Sequence, residues 1–510
     1  MSHRTSRRWG LALPAVALAI VLVIPGSASA AGYLTPQGPY LTLESGAPSG
    51  SSLLPIINSG DTVNGFLFEG IPDGIGLRPG KAGVVQAFVN HEQSRVPFLG
   101  EADFKWSTVS KLNLDQATGG VLNGHVAIRS SQHFARFCSA SMAGPDQGLS
   151  RYTFFTSEET NDILSVPSGA VYGPDPSLAP NRQAGYSVLL NTDSGDFDVV
   201  QSAGRMNHEN TVLVPGGWGD LVSLTSDDTF SAPASQLYML RSEKEAQLFA
   251  DGGRLWAFQV TATDAGPVDP YDPFNDANDY GDITTGDDWQ GRFIAVPNKI
   301  ADGLTATAPQ TALENWSNAH NVFQFIRVED IAYDTTDPTI IYFADTGEKR
   351  ALPDPTTGRL MRGPSSATGP YPNGRVFRMV LNPANPRHVD SFSILLDGDA
   401  GGYNNPSVIH QPDNVGTSTN SLMVQEDTAQ PPNSRVWRYD FTGQTWSVVA
   451  SVNDPDWESS GIVNASEFFG PGAWLLDVQA HKDFVKSKQV GDVLYKREAG
   501  QLLLMTLPGS

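Results

Sequence analysis

Cysteine is the residue this chain most nearly does without: Cys138 is the only one in 510 residues. One cysteine excludes a disulfide framework, so stability must come from a packed core or from bound metal. Positive charge is scarce as well, with 33 Lys and Arg against 55 Asp and Glu and a formal net charge of −22. Such a surface repels nucleic acid and anionic membranes and suits an acidic protein in salt or one that collects divalent cations, although plain solubility is the commoner reason for it. Long amphipathic and heptad runs are missing, which argues against helical bundles. HExxH, CxxC, a Walker loop and a GxSxG elbow are missing too. Ser459 and Ser460 stand beside Glu458, but nothing nearby marks them as nucleophiles.

Fifty glycines and 36 prolines are scattered along the chain, bounding short β-branched and aromatic runs. This composition is all-β. The one long apolar run, residues 11–24, follows Arg4, Arg7 and Arg8 and ends before Ala28-Ser29-Ala30. Residues 1–30 therefore read as an export signal, loosely twin-arginine in form, which places the mature chain outside the cytoplasm. Its removal takes the formal charge from −22 to −25. Residues 31–60 read as an extended Pro-, Gly- and Ser-rich arm, and residues 61–510 as a single domain.

The second half repeats. Strands ending in acids (LVSLTSDD, IIYFAD, LMVQED, WLLDVQAH) alternate with a second type (QLYMLR, GRVFRM, SRVWRY, GQLLLM), and RLWAF at 254–258 also fits the second type. Repeated antiparallel units predict a β-propeller, six-bladed and with long loop insertions; a β-sandwich is the competing fold. In a propeller, equivalent strand ends meet at one mouth of the channel, so carboxylates there converge. The Asp-rich stretch 262–290 misses the EF-hand spacing and reads as a solvated insertion.

Acids recur beside apolar strand residues: Glu92 in FVNHEQ, Glu158 and Glu159 in FTSEET, and His208-Glu209 in GRMNHEN. Further on come Glu329-Asp330 in RVEDIAYD, Asp413 in QPDNVG, Glu426-Asp427 in QEDT, and Glu458 in WESSGI. Acids in such places are costly to bury unless paired or holding a metal. Carboxylates and Asn carbonyls suit calcium, and a thiolate with several Glu suits iron. Arg136, Arg205 and Arg327 lie near these motifs and could orient a phosphate bidentately; packing and salt bridges are their alternative use. Cys138, in RFCSAS, is a metal ligand, an intermolecular bridge or a small buried hydrophobe.

With RFCSAS, FTSEE, GRMNHEN, RVEDIAYD, PDNVG, QEDT, SRVWRYD, WESSGIVNAS and LLDVQAH in this order, the chain resembles the PhoX family of secreted bacterial alkaline phosphatases. The resemblance implies a propeller that hydrolyses phosphate monoesters with Ca2+ and Fe, exported, monomeric and acting on small-molecule phosphate esters. It puts an iron ligand at Cys138 and metal ligands or their supports at Glu158, Glu159, His208, Glu209, Glu329 and Asp330. The expected catalytic set is Cys138, Glu158, Glu209, Glu329, Arg136 and Arg205. The expected metal set adds Glu92, Asp413, Glu426, Asp427 and Glu458. The chain departs from the pattern at Ser157, where well-known members carry a second cysteine. A non-catalytic calcium-binding propeller and a calcium-dependent propeller lactonase or esterase are the rival readings.

Overall fold

The computed structural model describes residues 32–164, 182–229, 235–272, 275, 277–303, 308–356, 358–402, 405–427 and 433–510. The expected export signal lies outside them. Among the described residues, six four-stranded antiparallel blades account for most of the strands. Their innermost strands are Pro72–Pro79, Phe137–Ala143, His208–Val214, Val328–Tyr333, Pro412–Thr417 and Glu458–Asn464. Each touches the next, and the sixth touches the first, so the ring closes around a central channel. This is the six-bladed propeller that the repeats predict.

The second strands are Val84–His91, Thr153–Glu158, Leu221–Asp227, Ile340–Asp345, Ser421–Glu426 and Ala473–Val490. Apart from the exposed outer half of Ala473–Val490, they are packed between neighbouring blades on both faces, so they lack the alternation of a half-exposed strand. Thr153–Glu158 and Ser421–Glu426 are buried along their whole length. Between the third and fourth blades the filling is aromatic: Phe258, Phe325, Phe343, Phe377 and Phe392 are all inaccessible, each contributing about 1.5–3 kcal/mol on burial.

Two sequence expectations change. The described part of the expected extended arm, residues 32–60, contributes to the propeller itself: Leu41–Leu43 pairs with Thr445–Val452 of the fifth blade, and Ser52–Asn58 is the outer strand of the sixth. The last blade thus joins both ends of the chain and leaves no open seam. RLWAF belongs to the fourth strand of the third blade, Arg254–Thr263, not to a third strand. In the Asp-rich stretch, Asp279 and Asp282 accept backbone N–H groups of Leu360, Gly281 and Asn278. No helix among the described residues is long and apolar enough to cross a membrane.

Every inner strand carries the same irregularity. In five blades it advances three residues while the second strand advances two: Pro72 and Ile75 face His91 and Val89, and Phe137 and Ala140 face Glu158 and Thr156. His208 and Thr211, Val328 and Ile331, and Pro412 and Val415 repeat the step. In the sixth blade the extra residue is Gly461, between Ser460 and Ile462. A one-residue β-bulge bends a strand and redirects its side chains. Here six bulges do so at one end of one channel.

Candidate metal centre

The bulges leave over Asp73-Gly74, Cys138-Ser139, Glu209-Asn210, Glu329-Asp330 and Asp413-Asn414. The first member of each pair enters the channel mouth. Among the described residues three overlapping sets of ligand atoms result, each set lying within 4.8 Å: Asp73, Glu92 and Cys138; Cys138, Glu159 and Glu209; Glu209, Glu329 and Asp413. Cys138 and Glu209 are each shared, so seven side chains from five blades make one continuous row. Glu159 and Glu92 enter from just past the second strands of their blades.

Hydrogen bonds fix the row. Asp73 Oδ2 accepts from Cys138 Sγ at 3.2 Å and from Gln479 Nε2 at 2.8 Å. Arg327 grips Asp228 through two 2.7 Å bonds and lies 3.3 Å from Glu329. Below the row the second members of the pairs form a polar belt. Ser139 donates to Glu209, Asn414 Nδ2 donates to Ser139 Oγ at 2.7 Å, and Asn210 donates to Asp330. Above it opens a cavity of about 580 Å³, walled also by Asp427, Glu458, His481, Arg136 and Phe98.

So many buried acids cannot all ionise without a cation. Burial first, and a neighbouring carboxylate next, raise Glu159, Glu209, Glu329 and Asp413 well above the usual carboxylate range. The same causes push Asp73 up to about 8. Burial and then Asp73 raise the Cys138 thiol. The donor set, carboxylates with one sulfur, fits hard divalent ions with one softer metal, and their binding would displace these protons.

The adjacent acid pairs divide between two tasks, because neighbouring strand residues face opposite ways. Glu158 does not join the cluster. Both its oxygens meet the Arg182 guanidinium, at 2.9 and 3.0 Å, and it also accepts N–H groups of Ala135, Gly185 and Tyr186. Glu426 occupies the equivalent register position and is held by Arg435, Trp437 Nε1 and the His410 N–H. His208 bonds Thr225 Oγ1 and the Gly204 carbonyl at 3.0 Å each, with no ring nitrogen left for a metal. Asp330 points down the channel, to Asn210 and the Val415 N–H. Arg205 stacks 3.5 Å above the Tyr186 ring and caps the Gln183 carbonyl, away from the mouth. Glu92, Cys138, Glu159, Glu209, Glu329, Asp413, Asp427, Glu458 and Arg136 do meet at the cup.

Residue-by-residue reading misses Asp73, Asp228 and His481 as site residues. Asp73 carried a signal, since Pro72-Asp73-Gly74-Ile75-Gly76 repeats Pro412-Asp413-Asn414-Val415-Gly416. Asp228 ends a strand of the acid-ending repeat. His481 lies 3.4 Å from Glu458 and 3.0 Å from Glu498, and these acids outweigh burial to raise its pKa well above 6.5.

No family model matches the chain, and no curated protein matches its sequence. Among solved structures, Pseudomonas fluorescens PhoX in complex with vanadate is similar in fold, at TM-score 0.60 and 14% identity over 94% of this chain and 97% of that one. The soluble aldose sugar dehydrogenase of Escherichia coli aligns at TM-score 0.35 and 10% identity, over 90% of this chain and 99% of that one. The chain therefore has a PhoX-like propeller fold.

Proposed function

We propose that the chain is an exported phosphatase that hydrolyses phosphate monoesters at a cluster of calcium and iron ions. The observation that carries this reading is the unbroken row from Asp73 to Asp413, with three sets of ligand atoms sharing Cys138 and Glu209. Vanadate is described as a transition-state analogue in the PhoX complex, which supports phosphate as the group handled on this fold. Bound cations supply Lewis-acid polarisation of the phosphoryl oxygens and a nucleophilic oxygen at neutral pH. Cys138, Glu159 and Glu209 would hold iron; Glu92, Asp73, Glu329 and Asp413 would hold calcium.

The chain's other residues supply orientation and protons. Arg136 sits at the mouth, where its bonds to Thr160 and Asp162 are long, 3.3 Å each. It is the guanidinium best placed to meet an incoming dianion. Arg327 is clamped on Asp228 and holds that carboxylate in place. His481 keeps a proton between Glu458 and Glu498 on the cavity wall, available to a leaving alkoxide.

The test is release of phosphate from an aryl phosphate by metal-loaded protein, repeated with chelator and with Cys138→Ser. The reading expects turnover lost with chelator, restored by calcium, and absent in C138S. No release with calcium and iron loaded overturns it. A chelator-sensitive melting temperature without turnover then points to a calcium-stabilised binding module. Lactone hydrolysis that survives C138S points to a propeller lactonase or esterase.

A further inference from the structure

We infer that the rim of the cup is a docking surface for an anionic lipid bilayer. It goes beyond the phosphatase reading and does not rest on it. Two segments build the rim. One is the tight turn Phe98–Glu101, closed by reciprocal backbone bonds of 2.7 and 2.9 Å between its end residues. The other is the outer half of the hairpin Ala473–Val490/Val493–Thr506. They are joined, since the Leu494 N–H bonds the Gly100 carbonyl at 2.8 Å and Leu494 pairs with Glu101.

The turn is chemically unusual. Leu99 and Gly100 both have positive φ, +49° and +86°. That geometry favours Asn, Asp or Gly at both positions. A leucine there is strained, and at 92% exposure it gains nothing by packing. Phe98 beside it is 67% exposed. Val490, which pairs with Val493 at the hairpin end beside Leu494, adds 52%. The protein thus holds apolar side chains out into solvent on a rigid turn beside its cavity, and Phe98 itself lines that cavity. Exposed apolar groups gathered in one place mark an interaction surface.

Charge selects the occupant. The chain has ten lysines, and Lys482, Lys486, Lys488 and Lys496 are four of them, all in this hairpin. Lys482 pairs with Asp456, and Lys496 with Glu101 and Glu498. Lys486, 5.7 Å from the Phe104 ring, and Lys488 have no carboxylate partner among the described residues, and with Arg95 they outnumber the two exposed acids of the hairpin, Asp483 and Asp492. Arg95 stacks on Tyr495 at 5.6 Å and is exposed on the same rim. The net charge of −22 repels an anionic surface from most directions. Screening confines such fields to about 8–10 Å, so a local basic rim decides the approach on its own side. Apolar tips flanked by lysines match a headgroup layer: the tips enter the acyl boundary and the ammonium groups meet lipid phosphates.

The test is co-sedimentation of the full chain with vesicles of phosphatidylglycerol and phosphatidylcholine, against phosphatidylcholine alone. The inference expects binding to the anionic vesicles that weakens with added salt. Phe98→Ser/Leu99→Ser, and separately Lys486→Glu/Lys488→Glu, are each expected to lower partitioning about tenfold or more, with melting temperature unchanged. No vesicle binding, or equal binding by the variants through any other segment, overturns it. Concentration-dependent dimerisation by light scattering that L99S abolishes also overturns it, because the occupant is then a second copy. Phosphatase activity is not the readout, so failure here leaves the metal centre standing.

Discussion

Glu158 and Glu159 are neighbours in sequence, and the structure assigns them opposite consequences. Glu158 is inaccessible and neutralises Arg182, whose side chain is 5% exposed. Replacing Glu158 by Gln keeps the shape but leaves a buried guanidinium facing an amide. Removing one partner of a buried ion pair costs about 3–5 kcal/mol. For a unit of this size that is a drop of roughly 3–5 °C in melting temperature. Glu159 has no such partner among the described residues, and its carboxyl is forced upward by burial and then by Glu209. Glu159→Gln therefore leaves the metal-free protein as stable as the parent or more so, and weakens metal binding. Calorimetry with and without chelator, with metal analysis of both variants, separates the two roles. The division of labour is refuted if E158Q loses metal at unchanged melting temperature, or if E159Q destabilises the chelated protein as much as E158Q does.

Three further outcomes follow from the same geometry. In chelator, buried carboxyls with raised pKa values bind protons in the folded state that the unfolded chain releases near pH 4, so stability falls as pH rises. Asp73, at about 8, places that loss between about pH 4 and 8, and saturating calcium should flatten the slope in thermal melts. Arg136→Ala should raise the KM for an aryl phosphate about tenfold, with a smaller change in kcat, because the guanidinium meets the anion before the chemistry; equal loss in both would contradict a mouth position. Gly461→Ala should destabilise by about 1–3 kcal/mol, since φ is +39° and a Cβ would lie 2.7 Å from the Asp73 carbonyl; an unchanged melting temperature would show that the sixth bulge is not needed.

The sequence made the propeller legible because its second and third strands repeat in kind, with an acid at the end of one and an Arg- or Leu-rich run in the other. The fourth strands mislead: Ser52–Asn58 carries no such mark and reads as part of an arm, while RLWAF in Arg254–Thr263 imitates the third-strand run. The acids of the cup were visible as a set, yet which member of each pair serves the cup was not. That choice depends on a bulge, and a bulge is a register difference between two strands, not a property of one. Glu158 and Glu426 look like ligands in sequence because the arginines that engage them, Arg182 and Arg435, sit 24 and 9 residues away. Asp73 escapes a residue-by-residue reading, although its Pro-Asp repeats that of the fifth blade. His481 emerges only when the hairpin brings Glu498 back beside it.

Five bulged strands, joined by Glu92 and Glu159 from the strands beside them, bring acids and one sulfur into a single row, and the central proposal is that this row binds cations. Elemental analysis of the purified protein beside Cys138→Ser and Glu209→Gln tests it most directly. The account predicts calcium and iron in the parent, iron lost from C138S, and both metals reduced in E209Q because two ligand sets share that residue. Metal-free parent protein whose melting temperature is indifferent to chelator would contradict it.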